Sequence, residues 1–218
     1  YSKLPFDPDK DLAPVIQAVD STNILSLHPS VPAGSVKELI TLAKSKSLSY
    51  GSSGVGGTGH LAGELFNVMA GTQLVHVPYK GGGPAMIDLV AGQVQVVFAT
   101  GASAVPQIKN GKIKGIAVTT IKRSALMPEL PTIAESGLKG YDANNWYGVM
   151  VPAKTPRAII DKLHGEFAKI ARVPELVQKM EQEGSLLVGA PPEEAARLIS
   201  REMATWNRVI QEAGIKAE

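Results

Sequence analysis

The ten residues Gly51-Ser-Ser-Gly-Val-Gly-Gly-Thr-Gly-His60 constrain this chain more than any other stretch. Five are glycine and three carry hydroxyls. Glycine reaches positive φ without steric cost and lets the backbone approach another group closely. Ordering so many glycines costs conformational entropy. The run stands between a strand-like stretch, Leu48 to Ser52, and a helical one from about His60 to Ala70. In the latter, Leu61, Leu65, Phe66 and Met69 recur at helical spacing, and Gly71 suits the C-cap. A glycine loop opening a helix presents unpaired N–H groups and a partial positive charge, which together suit an anion. A tight turn that binds nothing is the plain alternative.

Around this loop strands and helices alternate. Ile24 to Leu27, Leu74 to Val77, Gln93 to Ala99 and Ile113 to Thr119 read as strands. Ser35-Val-Lys-Glu38 is a capping box opening a helix. Pro84 sits in the first turn of a helix through Val90, and a short helix runs near Ala104 to Lys109. Residues 24–119 therefore predict a parallel α/β sheet. A connection from Lys122 to Tyr141 carries a short helix near Thr132 to Ser136. A strand, Tyr147 to Val151, precedes a helix capped by Thr155 with Pro156 in its first position. Pro174 to Glu183 and Pro192 to Ala213 are helices flanking a strand at Leu186 to Val188, and Gly214 ends the last.

Gly54, Gly56 and Gly59 match G-x-G-x-x-G, the dinucleotide spacing. That motif needs an acid at the end of the next strand to hold a ribose. Here the strand ends in Val77-Pro-Tyr-Lys-Gly81, so a lysine and a tyrosine stand there instead. A nucleotide P-loop and the G-x-S-x-G of serine hydrolases are both absent, since Val55 breaks the latter. Without cysteine, thiol catalysis, zinc-thiolate sites and disulfides are excluded. No His/Asp/Glu grouping has metal-ligand spacing, and no cofactor is expected. A net charge of +2, spread along the chain without basic–aromatic clusters, argues against nucleic acid.

Three strand ends carry polar chemistry: Ser52 and Ser53; Tyr79, Lys80 and Gly81; and Thr100, Gly101, Ala102 and Ser103. Ligands of open α/β sheets bind outside the carboxyl ends of strands, so these loops converge on one site. Gly54 to His60 would supply backbone N–H groups and hydroxyls there, with His60 a candidate donor to the ligand. His76, inside an apolar strand, reads as a satisfied core residue. Trp146 is either a core aromatic or a residue that packs at an interdomain hinge or lines the cleft, and Lys122/Arg123 read as a solvated turn. An enzyme using His60 or Asp88 as base on an anionic substrate is the second reading.

Leu4-Pro-Phe-Asp-Pro, His28-Pro-Ser-Val-Pro-Ala, Tyr50-Gly-Ser-Ser-Gly, His60-Leu-Ala-Gly-Glu-Leu-Phe, Val75-His-Val-Pro-Tyr-Lys-Gly, Ala117-Val-Thr and Leu130-Pro-Thr-Ile-Ala-Glu-Ser-Gly occur in this order. The set resembles the substrate-binding proteins of tripartite tricarboxylate transporters, the Bug receptors. The resemblance implies a type II periplasmic-binding-protein fold: two α/β domains closing on a small carboxylate such as a di- or tricarboxylate, amino acid or aromatic acid. It implies residues 24–119 as domain 2, and 1–23 with 120–218 as an incomplete domain 1, family members beginning with a further stretch of strands and helices. It implies Ser52, Ser53, Gly54, Thr58, Gly59 and His60 as one ligand loop. It also implies a periplasmic location, no catalysis, and delivery to membrane transporter subunits; no signal peptide is present in these 218 residues. An incomplete domain 1 exposes apolar surface, with self-association as the expected consequence.

Overall fold

The computed structural model describes residues 4–215. In chain order the elements are α1 (Pro8–Asp11), β1 (Leu12–Ser21), β2 (Asn23–Leu27), α2 (Val36–Ser45), β3 (Ser49–Ser52), α3 (Thr58–Ala70), β4 (Val75–Pro78), α4 (Gly82–Val90), β5 (Val96–Thr100) and α5 (Gly101–Lys109). They continue with β6 (Lys114–Val118), β7 (Asn145–Pro152), α6 (Arg157–Ile170), α7 (Pro174–Gln182), β8 (Ser185–Ala190) and α8 (Pro192–Glu212). The chain divides into two units. One takes the residues up to Ser21 and Trp146–Arg208; the other takes Thr22–Asn145 with 209–215. Among the described residues no helix is long and apolar enough to cross a membrane.

The first unit holds a three-stranded sheet in the order β7-β1-β8. Its centre is β1, a strand the sequence reading did not foresee. Val15 and Ile16 of β1 and Ile160 of α6 are its buried core, with Val149, Val151, Leu163 and Phe167 packed against them. The α6 terminus differs from expectation. Pro156 is the N-cap residue, with no side-chain cap bond, and Thr155 lies outside the helix, donating its N–H to Pro152 O. Gly214 ends α8 in the left-handed region as expected, at φ 64°.

The second unit holds a five-stranded sheet, β4-β3-β5-β2-β6. The expected parallel sheet is corrected to a mixed one. β3 runs parallel to β4 and β5, but β2 is antiparallel to both β5 and β6. The reason is where β2 starts: Asn23 is in register with Thr100, at the carboxyl end of β5, so the strand can only run back. One sheet face is closed by Ile24, Met86, Leu89, Val97, Ala104, Val105 and Val118. The face under α3 carries Tyr50 and Phe98, and α3 buries Leu65 and Phe66.

The expected domain boundary also moves. Residues 120–145 belong to the second unit, not the first. Backbone bonds tie them there: Val118 N–H to Pro131 O, Ile133 N–H to Val118 O and Ala143 N–H to Thr119 O. Tyr141 is fully buried and donates its hydroxyl to Ala62 O at 2.8 Å. The short helix expected near Thr132 is a turn. Thr132 and Glu135 there exchange bonds, Glu135 N–H to Thr132 Oγ1 and Thr132 N–H to Glu135 Oε2, a reciprocal pair that closes one turn only. Arg123 pairs with Glu135 at 2.9 Å on the surface, in keeping with a solvated turn.

Local chemistry fixes α2 and α3. Ser35 Oγ accepts the Glu38 N–H, and Glu38 Oε2 accepts the Gly34 N–H at 2.6 Å, the reciprocal pattern of a capping box. Gly71 ends α3 at φ 62°. Within α3, Gly63 faces the Tyr50 ring so closely that a Cβ there would lie 2.3 Å from Tyr50 Cε2. The ring cannot give way, because its hydroxyl bonds Glu64 Oε1 at 2.6 Å and His60 O at 3.2 Å. Gly63→Ala should therefore destabilise the protein by about 1–3 kcal/mol, the cost of overpacking a closed core. Urea titration checks this; an unchanged midpoint would contradict the packing argument.

Candidate anion-binding site

Because β3, β4 and β5 are parallel neighbours, their carboxyl ends lie along one edge of the sheet. Each feeds a helix: β3 into α3, β4 into α4 and β5 into α5. None of these three helices has a side-chain hydrogen bond at its N-cap. α2 does, through Ser35. Three helix N-termini with N–H groups left for another partner thus face the same edge, each with its partial positive charge.

The loops between them are fastened to one another by backbone. Tyr79 N–H donates to Ser52 O at 3.0 Å, and Gly81 N–H to Ser53 O at 3.2 Å. Gly57 N–H closes back on Gly54 O at 3.2 Å. Gly54 has φ 132°, Gly56 φ 75° and Gly81 φ 114°, angles that favour glycine. Gly59 is glycine for another reason. A Cβ there would meet Phe98 O at 3.0 Å and Ser52 Cβ at 3.7 Å, so its bareness seats the first turn of α3 on the sheet. The G-x-G-x-x-G spacing is thus accounted for by two backbone angles and one packing contact.

The expected residues divide by exposure. Ser53, Thr58, Lys80 and Ala102 are exposed, while Ser52, Gly59, His60 and Gly101 are buried; Gly54, Tyr79, Gly81, Thr100 and Ser103 lie between. Thr100 and Ser103 bond each other through their hydroxyls at 3.1 Å, and Ser103 Oγ also donates to Thr100 O at 3.0 Å. The Gly101 N–H is taken by Thr22 O. Tyr79 turns away from the loop and donates its hydroxyl to Asp88 Oδ2 on α4 at 2.7 Å. Burial, with Asp88 adding to it, pushes the Tyr79 phenol up to about 12.

His60 also differs from its expected role. It is 5% exposed, and its Nδ1 accepts the Gly56 N–H at 2.9 Å, so this nitrogen faces the loop's own backbone and not a ligand. Its ring stacks on His76, centroids 3.8 Å apart. His76 in turn reaches Ser52 Oγ with Nε2 at 2.6 Å, and Ser52 Oγ accepts the Gly54 N–H at 3.1 Å. His76 is thus satisfied, as the sequence reading held, but it supports the loop. Its signal was available: strand alternation places it opposite Tyr50 and two residues before the β4 end, on the face Ser52 shares. Burial lowers the pKa of both histidines, and the His60 ring helps bring His76 down to about 4. Near neutrality both are uncharged, so the positive field at this edge comes from helix ends and Lys80. Among the described residues no group of three His, Cys, Asp or Glu is placed to hold a metal ion.

Gly54→Ala forces a side chain into φ 132°. The expected cost is about 1–3 kcal/mol of backbone strain. Differential scanning calorimetry should show it as a lower Tm; no change would mean that the loop is free to adopt another path.

Residues 1–215 match the model of the tripartite tricarboxylate transporter family receptor. A protein encoded in the tcbD-tcbE intergenic region of Pseudomonas sp. strain P51 is 33% identical over 220 residues, covering 100% of this chain and 66% of that protein. The chain thus spans just under two thirds of this relative's length. Among solved structures, the R. palustris protein Rpa4515 with adipate is 36% identical, with a TM-score of 0.87, over 99% of this chain and 73% of the other. The periplasmic binding protein BugD is 30% identical, with a TM-score of 0.84, over 98% and 73%. The fold is thus the α/β fold of these binding proteins, and the matched family is one of receptors rather than enzymes.

Proposed function

We propose that this chain, which belongs to the tripartite tricarboxylate transporter receptor family, grips the carboxylate of a small solute at the carboxyl edge of β3, β4 and β5 and serves delivery to a membrane transporter. The single observation that carries the reading is the set of three helix N-termini, α3, α4 and α5, without side-chain caps around one glycine loop. A carboxylate accepts several N–H bonds at once, and aligned helix dipoles favour its charge. The exposed hydroxyls of Ser53 and Thr58 and the Lys80 ammonium would complete its shell. No covalent step is needed. The adipate of the R. palustris relative makes a dicarboxylate the first class to test. A periplasmic location is the reading that fits the BugD likeness.

The second sequence reading, a base at His60 or Asp88, has nothing in its favour here. His60 Nδ1 is engaged by Gly56 and Asp88 by Tyr79.

Calorimetric titration with adipate, malate, citrate and benzoate tests the proposal. At least one should bind and raise Tm; ligand at 100 times its Kd adds about 2.7 kcal/mol of stability. Gly59→Val should abolish that response, because the added branch lifts the first turn of α3 from Phe98 O. Absence of binding by every carboxylate in a folded protein would overturn the reading. Wild-type affinity in Gly59→Val would remove the helix α3 N-terminus from the site.

A further inference from the structure

Two imidazoles, His60 buried and His76 half-buried, lie beneath the glycine loop, and each holds a different glycine. His76 fixes Gly54 through Ser52 Oγ. His60 fixes Gly56 directly, by accepting its N–H on Nδ1 at 2.9 Å. These bonds respond differently to a proton. An imidazolium has two N–H donors and no acceptor. A protonated His76 still donates Nε2–H to Ser52 Oγ, so the Gly54 bond survives. A protonated His60 cannot accept from Gly56, and two donors then face each other.

We propose that His60 is a positioning residue that works as an acid-sensitive latch on the anion loop, its neutral Nδ1 holding Gly56 in place and its protonation releasing Gly56 while Gly54 stays fixed. The stacked His76 ring is part of the device. With centroids 3.8 Å apart, a charge on one ring opposes a charge on the other. The surroundings supply few competing charges. On α3 the nearest is Glu64, one turn on, with Oε1 engaged by the Tyr50 hydroxyl. Glu212 shares a surface groove with Glu64. From β3 the Tyr50 ring stands 5.0 Å from His76 and 6.5 Å from His60. β4 offers His76 alone, and β5 no titratable group. The 141–144 segment brings Tyr141, bonded to Ala62 O, and Asp142.

The direction follows from the depressed pKa values. Burial lowers His60 against the opposing pull of Glu64. A loop-free imidazole titrates near 6.5 (roughly). The released state therefore binds the proton more readily than the latched one. The latch is complete above about pH 6.5 and is lost as pH falls through the lower value of the latched ring.

The proposal rests on the receptor reading for its purpose, since the latched loop is the one that meets the carboxylate, but its test needs no ligand. Amide exchange protection of Gly54 and Gly56 is measured by NMR on the full chain from pH 7.5 to 4.5. In the wild type, Gly56 should lose at least about tenfold in protection, the equivalent of one pKa unit, while Gly54 holds. In His60→Asn, whose side-chain carbonyl accepts at any pH, the Gly56 profile should be flat. In His60→Phe, which keeps the stack but not the acceptor, Gly56 should be unprotected throughout. A wild-type Gly56 that stays protected to pH 4.5 overturns the latch, and so does acid release that persists in His60→Asn. Should a variant fail to fold, the wild-type exchange profile, with the ¹⁵N shifts of the His60 ring, decides alone. Adipate affinity is read on the same samples. Binding at pH 7.5 with an exchange profile that ignores pH would sink the latch and leave the receptor reading standing. Acid release of Gly56 without binding of any carboxylate would do the reverse.

Discussion

Tyr50 and the two bare positions of α3 set the spacing on which the second unit depends. The Tyr50 ring fills the space that a side chain at Gly63 would take, and its hydroxyl is pinned by Glu64 and His60 O. Gly59, one turn earlier, brings the helix start against Phe98 O. Close approach along the whole helix is what points its first N–H groups at the sheet's carboxyl edge. Were α3 held off by even one methyl group, the loop from Ser52 to Thr58 would have to span a longer gap. Its bonds to the loop after β4, Tyr79 N–H to Ser52 O and Gly81 N–H to Ser53 O, could then not form together. Close packing of α3 and the path of the glycine loop are therefore one requirement here.

The electrostatic design is of oriented dipoles more than of ionic charge. Both histidines beneath the loop have lowered pKa values, which leaves Lys80 as the formal cation the three loops contribute. Partial charges on fixed backbone N–H groups are aimed and need little rearrangement when an anion arrives. A carboxylate bound there as proposed would be taken at any suitable size, which would leave discrimination between solutes to other contacts.

Much of this was legible in the sequence, for identifiable reasons. Helix boundaries announced themselves through local chemistry: Ser35 with Glu38, Gly71 and Gly214 all act as read. The three strand ends were correctly named because turn residues mark where strands stop. What failed was non-local. The direction of β2 depends on where the chain enters the sheet, which no window of residues records. β1 escaped because Val15 and Ile16 are buried on opposite faces of the strand, so the alternation that marks a half-buried strand is missing. The assignment of 120–145 to the second unit turns on backbone bonds to Val118 and Thr119 and on Tyr141, again contacts between distant residues. Tyr79 lies just past β4 and His60 in the first turn of α3, where the sequence puts them, but a residue's position in the chain does not reveal which way its ring turns. Asp88 and Gly56 are the partners that decided it.

The antiparallel course of β2 also governs the order in which this sheet can be assembled. The strand is made early, yet both of its neighbours, β5 and β6, follow only after α2, β3, α3, β4 and α4. The pairing of Asn23 with Thr100 and of Ile24 with Val118 closes long loops, which is slow. On a ribosome, Ile24, Leu25 and Leu27 must wait, unpaired and apolar, until β5 has emerged on one side and β6 on the other. The β3, α3 and β4 segment can condense meanwhile. This early strand of the sheet, seated between β5 and β6, is thus among the last to find its place, and that interval is when a nascent chain of this kind is most exposed to wrong pairing.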